Sequence, residues 1–365
     1  MKQDKISELI KKRVLLGDYA LKKLPAERQL ALEVGVSHMT ARRALNQLVD
    51  EGFLVRGSNG RLEVNSEKLS GPKQLRIAII LPDFHAPTFD RWHSIIQQAA
   101  LKINASVRKV YYVHWDDPFI LDAIANFDIT FLLPSTEPIP KFMLDKLRGV
   151  EQPLVVLDHD LSHLGIPSVR LFPPVCVQRL LDHLEAQGHT RIDCFNVQPN
   201  DPIVEQRIEQ WDVWMAAHGY TGQLINEPVK PYHESLPCAY YMMKRQLENG
   251  SFSATALLCI TASAAIGAMR ALHQKGIRIG QDVAVCTVDG AGIAEFQIPS
   301  LTSLEAPDVT AQILTCLNWA SNKQPWRGSL LLQPQEVPLQ IRESTCPVSS
   351  EENTPHHFHW MPSTK

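Results

Sequence analysis

Residues 24–54 read LPAERQLALEVGVSHMTARRALNQLVDEGFL, and their punctuation admits little besides two short helices joined by a tight turn. Pro25 suits a first helical position, where its missing N–H costs nothing, and Glu27 places negative charge in the first turn. Leu30, Ala31 and Val34 fall on one face, and Gly35 is set to end the helix in a left-handed conformation. Ser37 then supplies an N-cap for a second helix. Along it Met39, Ala41, Ala44, Leu45 and Leu48 recur at roughly helical spacing until Gly52. Past Gly52 the period becomes alternating: residues 53–56 and 61–64 read as strands around Gly57-Ser58-Asn59-Gly60, and Asn-Gly is a strong hairpin signal. The layout is that of a winged helix-turn-helix.

Between the apolar positions of the second helix lie His38, Thr40, Arg42, Arg43, Asn46 and Gln47, which can hydrogen-bond base edges or phosphates from a major groove. Arg56 and Arg61 stand near the hairpin tip. Residues 1–68 carry 13 Lys/Arg against 9 Asp/Glu, a net +4, on a chain whose total is −3. A basic head on an acidic body suits phosphate binding at one end. The stretches LPAERQLA, GVSHMTARRAL and EGFL resemble the winged-helix domain of the GntR family of bacterial regulators over residues 1–64. Carried over by position, the resemblance implies that Arg28, Ser37, Thr40 and Arg42 contact phosphates or bases. It also implies that the wing tip at Asn59, Gly60 and Arg61 enters the minor groove. His38 stands where that family often has Arg, which exchanges a guanidinium fork for a single imidazole donor.

The rest of the chain has room for one large domain or two lobes. Residues 1–18 form an amphipathic, charged helix rather than a signal peptide, and no apolar run is long enough to span a bilayer, so no membrane is expected. Seven scattered cysteines without a C-x-x-C pair point to reduced thiols in a cytoplasm. A DNA-binding domain is expected over 1–66, a linker over 67–74 (polar, with a Gly-Pro), a sensor over 75–345 and a flexible tail over 346–365. Strand-like runs at 76–81, 107–113, 129–133, 154–157, 191–197, 256–260 and 283–288 alternate with amphipathic helices at 89–103, 176–187, 203–218, 262–275 and 307–321. Apolar strands separated by helices argue for an α/β fold with parallel sheets covered on both faces, binding ligands at strand carboxyl ends. The first strand ends LPDFHAP, with no phosphate-cradling glycines, so no dinucleotide cofactor is expected.

ASAAIGAMRALHQKGIRIGQDVAVCTVDG followed by IPSLTSLEAP, with LEAQGHTRI before them, resembles the effector domain of the LacI/GalR family. That resemblance implies a two-lobed, periplasmic-binding-protein-like sensor over 75–343 that dimerises, with the effector in its cleft. A GntR-type head on such a body is the arabinose-repressor type of architecture. By position Asp158, Arg207 and Asp289 match effector contacts, with Arg207 opening its helix. Asp83, Phe84 and His85 follow the first strand, and carboxylates and a guanidinium can grip sugar hydroxyls. Phe84, Trp92, Trp115 and Trp211 are candidates to stack on a sugar ring, each weighed against ordinary packing. Two departures matter: Thr261-Ala262 replaces the family's Asn-Asp, and Phe172-Pro173 stands where an Asp is usual.

The cluster at His159, Asp160 and His163 reads as a loop, and His356, His357 and His359 as tail residues, so no metal site is expected. Asp116-Asp117 before Pro118 reads as a helix start, not an acid/base couple, and no nucleophile–base pairing supports an enzyme. The expected function is a dimeric, ligand-responsive DNA-binding regulator, a repressor, pairing double-stranded operator DNA with a sugar or related effector. Two alternatives stand at this point. One is a regulator whose sensor has lost its effector and serves as a dimerisation scaffold; the other is a metabolic enzyme with an appended DNA-binding head.

Overall fold

The computed structural model describes residues 2–15, 19, 24–57, 60–65, 74–84, 86–322 and 325–346. The N-terminal segment opens with α1 (Lys2–Leu15), followed by α2 (Glu27–Glu33) and α3 (His38–Asp50). β1 (Leu54–Arg56) and β2 (Leu62–Val64) then pair antiparallel, Leu54 opposite Val64. Ile6, Ile10, Val14, Leu30, Ala44, Leu45, Leu48 and Leu54 make a core of their own. Ser7 pins α1 to α3 by donating to the Ala44 carbonyl at 3.2 Å and Gln47 Oε1 at 2.9 Å. α2 starts later than its proline suggests: Ala26 is the N-cap, so Pro25 precedes the helix instead of opening it. Gly35 does take a left-handed φ of +67°, and Gly52 one of +78°.

From Arg76 the chain alternates strand and helix: β3 (Arg76–Pro82), α4 (Pro87–Lys102), β4 (Ser106–Tyr112), α5 (Pro118–Asn126), β5 (Ile129–Leu132), α6 (Lys141–Arg148), β6 (Leu154–Leu157) and β7 (Ser168–Val169). It continues through α7 (Val177–Ala186), β8 (Ile192–Asn196), α8 (Pro202–His218), β9 (Leu224–Asn226), α9 (Ser235–Glu248), β10 (Ala256–Cys259), α10 (Ala262–Gln274), β11 (Ala284–Thr287) and β12 (Thr302–Leu304). α11 (Thr310–Asn322), β13 (Leu331–Leu332) and β14 (Leu339–Gln340) complete the order. Asp117 accepts the Phe119 amide at 3.0 Å and so caps α5, as the Asp-Asp-Pro run predicts.

Two six-stranded sheets result, ordered β13-β7-β6-β5-β3-β4 and β14-β12-β11-β10-β8-β9, parallel throughout except for the edge pair β12–β14. They fall into two compact units, residues 1–173 with 307–335 and residues 174–306 with 336–365, so the chain passes between units three times. β5, β6, β8, β10 and β11 are buried at every position, because helices cover both faces of a parallel sheet. In the first unit Ile80, Leu132 and Val156 pack with Ile120 and Met143; in the second Leu257 and Val285 pack with Met243, Ala268 and Leu272. Each sheet therefore presents all its parallel carboxyl ends along one edge.

Candidate functional site

Ser37 caps α3 as expected, its Oγ accepting the Thr40 amide at 3.2 Å and lying 2.8 Å from Thr40 Oγ1. The cap fixes where α3 begins, and hence which residues face out. Ala41, Ala44, Leu45 and Leu48 point into the core, while Arg42 and Arg43 are exposed. Met39 is 54% exposed, so it belongs to the outward face with Arg42, Arg43 and Asn46 and not to the core its spacing suggested. Placed so, its thioether is an apolar group of the kind that can meet a thymine methyl. The signal was in the sequence: Met39, Arg42, Arg43 and Asn46 stand at i, i+3, i+4 and i+7.

Two further sequence candidates are committed inside the domain. Gln47 accepts from Ser7 and donates to Glu51 Oε1 at 3.0 Å, and Arg56 reaches back to Asn46 Oδ1 at 3.4 Å. His38 Nε2 lies 3.3 Å from Glu27 Oε2, which ties the start of α3 to α2. Arg28 is exposed on α2, as are Gly60 and Arg61 at the hairpin, Gly60 with φ +74°. Asn59 lies outside the described residues.

In the first unit, Asp83 is exposed just past β3 and Phe84 packs edge-on against Phe89 at 5.0 Å; His85 lies outside the described residues. Asp158 follows β6 with φ +62°, a left-handed backbone that non-glycine residues rarely adopt. Its Oδ2 accepts the Trp92 indole N–H at 2.8 Å, and its carbonyl accepts Arg170 Nε at 3.2 Å. Trp92 is fully buried, Trp115 is 4% exposed and Trp211 5% exposed, so none of the three offers a face for stacking. Each has an indole bond instead, Trp115 to the Glu137 carbonyl and Trp211 to that of Ile192. Trp92 positions Asp158. Asp160 accepts both the amide and hydroxyl of Ser162, and with this bonding its carboxyl lies below the usual range despite burial. Among the described residues no cluster of ligating side chains could hold a metal ion.

The second unit brings Arg207, Thr261 and Asp289 to its carboxyl-end edge, with a polar network the sequence did not flag. Arg207 stands in the second turn of α8 and not at its start, where Asp201 caps the helix; its Nη1 donates to the Ile260 carbonyl at 3.1 Å. Thr261 caps α10 and accepts from Gln198 Nε2 at 3.3 Å, while Gln198 also donates to Ser235 Oγ at 2.8 Å. Asn196, fully buried, holds the Gln198 amide and donates to Asn226 Oδ1 at 2.9 Å. Asp289 accepts the Ala291 amide at 2.8 Å, a local turn that holds Ala291 at φ +52°. Asn196 ends β8 and Gln198 stands two residues past it, so position at a strand's carboxyl end was their only signal.

Residues 2–64 match the family of bacterial regulatory proteins named gntR, and residues 181–311 match a periplasmic binding protein-like domain. Among relatives, the chain is 24% identical to the "Probable HTH-type transcriptional repressor ExuR" of Bacillus subtilis (strain 168), over 87% of this chain and 95% of that protein. It is 26% identical to the HTH-type transcriptional regulator AscG of Escherichia coli (strain K12), over 46% of this chain and 51% of that protein. Among solved structures, the lac repressor dimer bound to operator and the anti-inducer ONPF aligns with TM-score 0.61 at 21% identity, covering 77% of this chain and 97% of that one. The LacI family regulator CCPA of Weissella paramesenteroides with bound sucrose aligns with TM-score 0.62 at 17% identity, covering 75% and 99%. The chain thus joins a GntR-family helix-turn-helix domain to a periplasmic-binding-protein-like domain with the fold of the lac repressor.

Proposed function

We propose that this protein is a ligand-responsive transcriptional regulator, a repressor that binds operator DNA as a homodimer and releases it when a small molecule binds its sensor. The observation that carries the reading is the outward face of α3, where Met39, Arg42 and Arg43 stand exposed on a helix whose opposite face is fully packed. The fold of the sensor and the relatives' names as repressors support it. DNA contacts are assigned to Arg28, Ser37, His38, Thr40, Arg42, Arg43 and the hairpin tip at Asn59, Gly60 and Arg61. Effector contacts are assigned to Asp83, Phe84, His85 and Asp158 of the first unit, and to Arg207, Thr261 and Asp289 of the second. Residues 1–66 act as the DNA-binding domain and 75–345 as the sensor, joined by 67–74.

No helix among the described residues is long and apolar enough to cross a membrane. All seven cysteines are free, which suits the reducing cytoplasm where a DNA reader would work. Gel shifts on the DNA upstream of its own reading frame test the reading. Wild type should form a specific complex that Arg42→Ala weakens at least tenfold; equal binding by both would remove α3 from the interface.

A second reading has one observation in its favour. Gln198 Nε2 already donates to Thr261 Oγ1 and to Ser235 Oγ where a sensor's donors would await a ligand, as a scaffold that no longer binds an effector would have it. Thermal shifts with a panel of sugars and purines separate the two: the scaffold shows none.

A further inference from the structure

Arg170 is the least expected polar group in the first unit. It follows β7 at the carboxyl edge of the sheet, is 8% exposed, and its backbone amide is held by the Leu332 carbonyl at 2.9 Å. Its Nε donates to the Asp158 carbonyl at 3.2 Å, which uses one of a guanidinium's five N–H donors. The η nitrogens have no hydrogen-bond or ion-pair partner among the described residues.

The nearby carboxylates do not close on it. Asp158 and Asp160 both act on Arg170 through space, yet Asp158 Oδ2 takes the Trp92 indole and Asp160 Oδ1 takes Ser162. A buried guanidinium whose one hydrogen bond goes to a carbonyl is costly, and the two carboxylates offset that cost only through space, so a charged acceptor in direct contact would stabilise it further. The backbone that supplies that carbonyl is itself strained, since Asp158 holds φ +62°, and strain of this kind collects at binding sites. α4 brings a second cation to the same segment: the Arg91 guanidinium lies 5.9 Å from the ring of Phe172, two residues beyond Arg170.

We propose that the η face of Arg170 anchors an anionic oxygen group of the effector, a carboxylate or a phosphate, so that the molecule sensed is an acidic metabolite and not a neutral sugar. This rests on the sensor reading above. With Nε committed, the two η nitrogens remain as an end-on fork that matches a pair of oxygens.

The test uses the full chain, with calorimetry and thermal shifts on glucose, galactose, their uronates and their 6-phosphates. Wild type should bind a uronate or a 6-phosphate more tightly than the parent sugar; which acid binds identifies the anion. Arg170→Met should weaken that binding at least tenfold, and Arg170→Lys, which keeps the charge without the fork, should fall between. The unliganded melting temperature of each variant confirms folding. Equal acid binding by wild type and Arg170→Met would overturn the proposal. So would a parent sugar that binds best, is lost in Arg207→Gln and is indifferent to Arg170→Met; that result leaves the sensor reading intact. No binding of any of these compounds would overturn both.

Discussion

Single side chains fix local structure in both units. Ser37 decides where α3 starts, and replacing it with Ala should cost about 1 kcal/mol of stability, measured by urea unfolding. His183 is 8% exposed, with Nε2 2.8 Å from Thr345 Oγ1, and burial pushes its pKa below the usual imidazole value. Protonation therefore favours the unfolded chain, so its contribution is complete above about pH 6.5 and is lost as pH falls below that. His93 and His189 shift the same way. Melting temperature should drop between about pH 7 and pH 5, and His183→Gln should flatten that slope. A melting temperature independent of pH there would contradict it. At this scale the sequence was only partly legible. Ser37, Gly35 and Gly52 announce themselves because caps and left-handed turns demand particular residues. Met39 and Gln47 deceived, one because an apolar residue at near-helical spacing can still face out, the other because its partners Ser7 and Glu51 are a matter of packing. Trp92 and Arg170 take their meaning from Asp158, 66 and 12 residues away, a pairing only the fold can make.

Elements were more legible than residues, because their signals add over several positions. The buried strands β3, β5, β6, β8, β10 and β11 stand out as apolar runs. β7, β13 and β14 span two residues each and β12 three, too few for any period to show, and they are defined by the neighbour they pair with. One helical glycine reveals a contact in the same manner. A Cβ at Gly267 in α10 would lie 2.5 Å from Ala239 Cβ and 2.7 Å from the Tyr240 amide nitrogen of α9. In an exposed helix Gly→Ala stabilises by roughly 1 kcal/mol. Here the backbone of α9 must move, so Gly267→Ala should instead destabilise by about 1–3 kcal/mol. A rise in the urea midpoint would show that the two helices pack less tightly than described.

At the scale of the whole molecule, the proposed assignment gives affinity for DNA and response to a ligand to different parts of the chain. Arg28→Ala or Arg43→Ala, each removing one proposed phosphate contact, should lower the slope of log K against log salt by about 1 and leave effector binding to the DNA-free protein unchanged. The architecture at this scale was the most legible of all: a basic head with GVSHMTARRAL, then strands and helices in alternation. The effector was the least, since Thr261-Ala262 and Phe172-Pro173 break the pattern that would name it. The most direct measurement is fluorescence anisotropy of the full protein on its own upstream DNA, alone and with neutral sugars, acidic sugars and purines. Salt-sensitive, sequence-specific binding should result, released by one class of compound by a factor of about 5–150, the usual range of allosteric coupling. Specific binding that no compound alters would contradict the coupling, and no specific binding at all would contradict a DNA-reading role for α3.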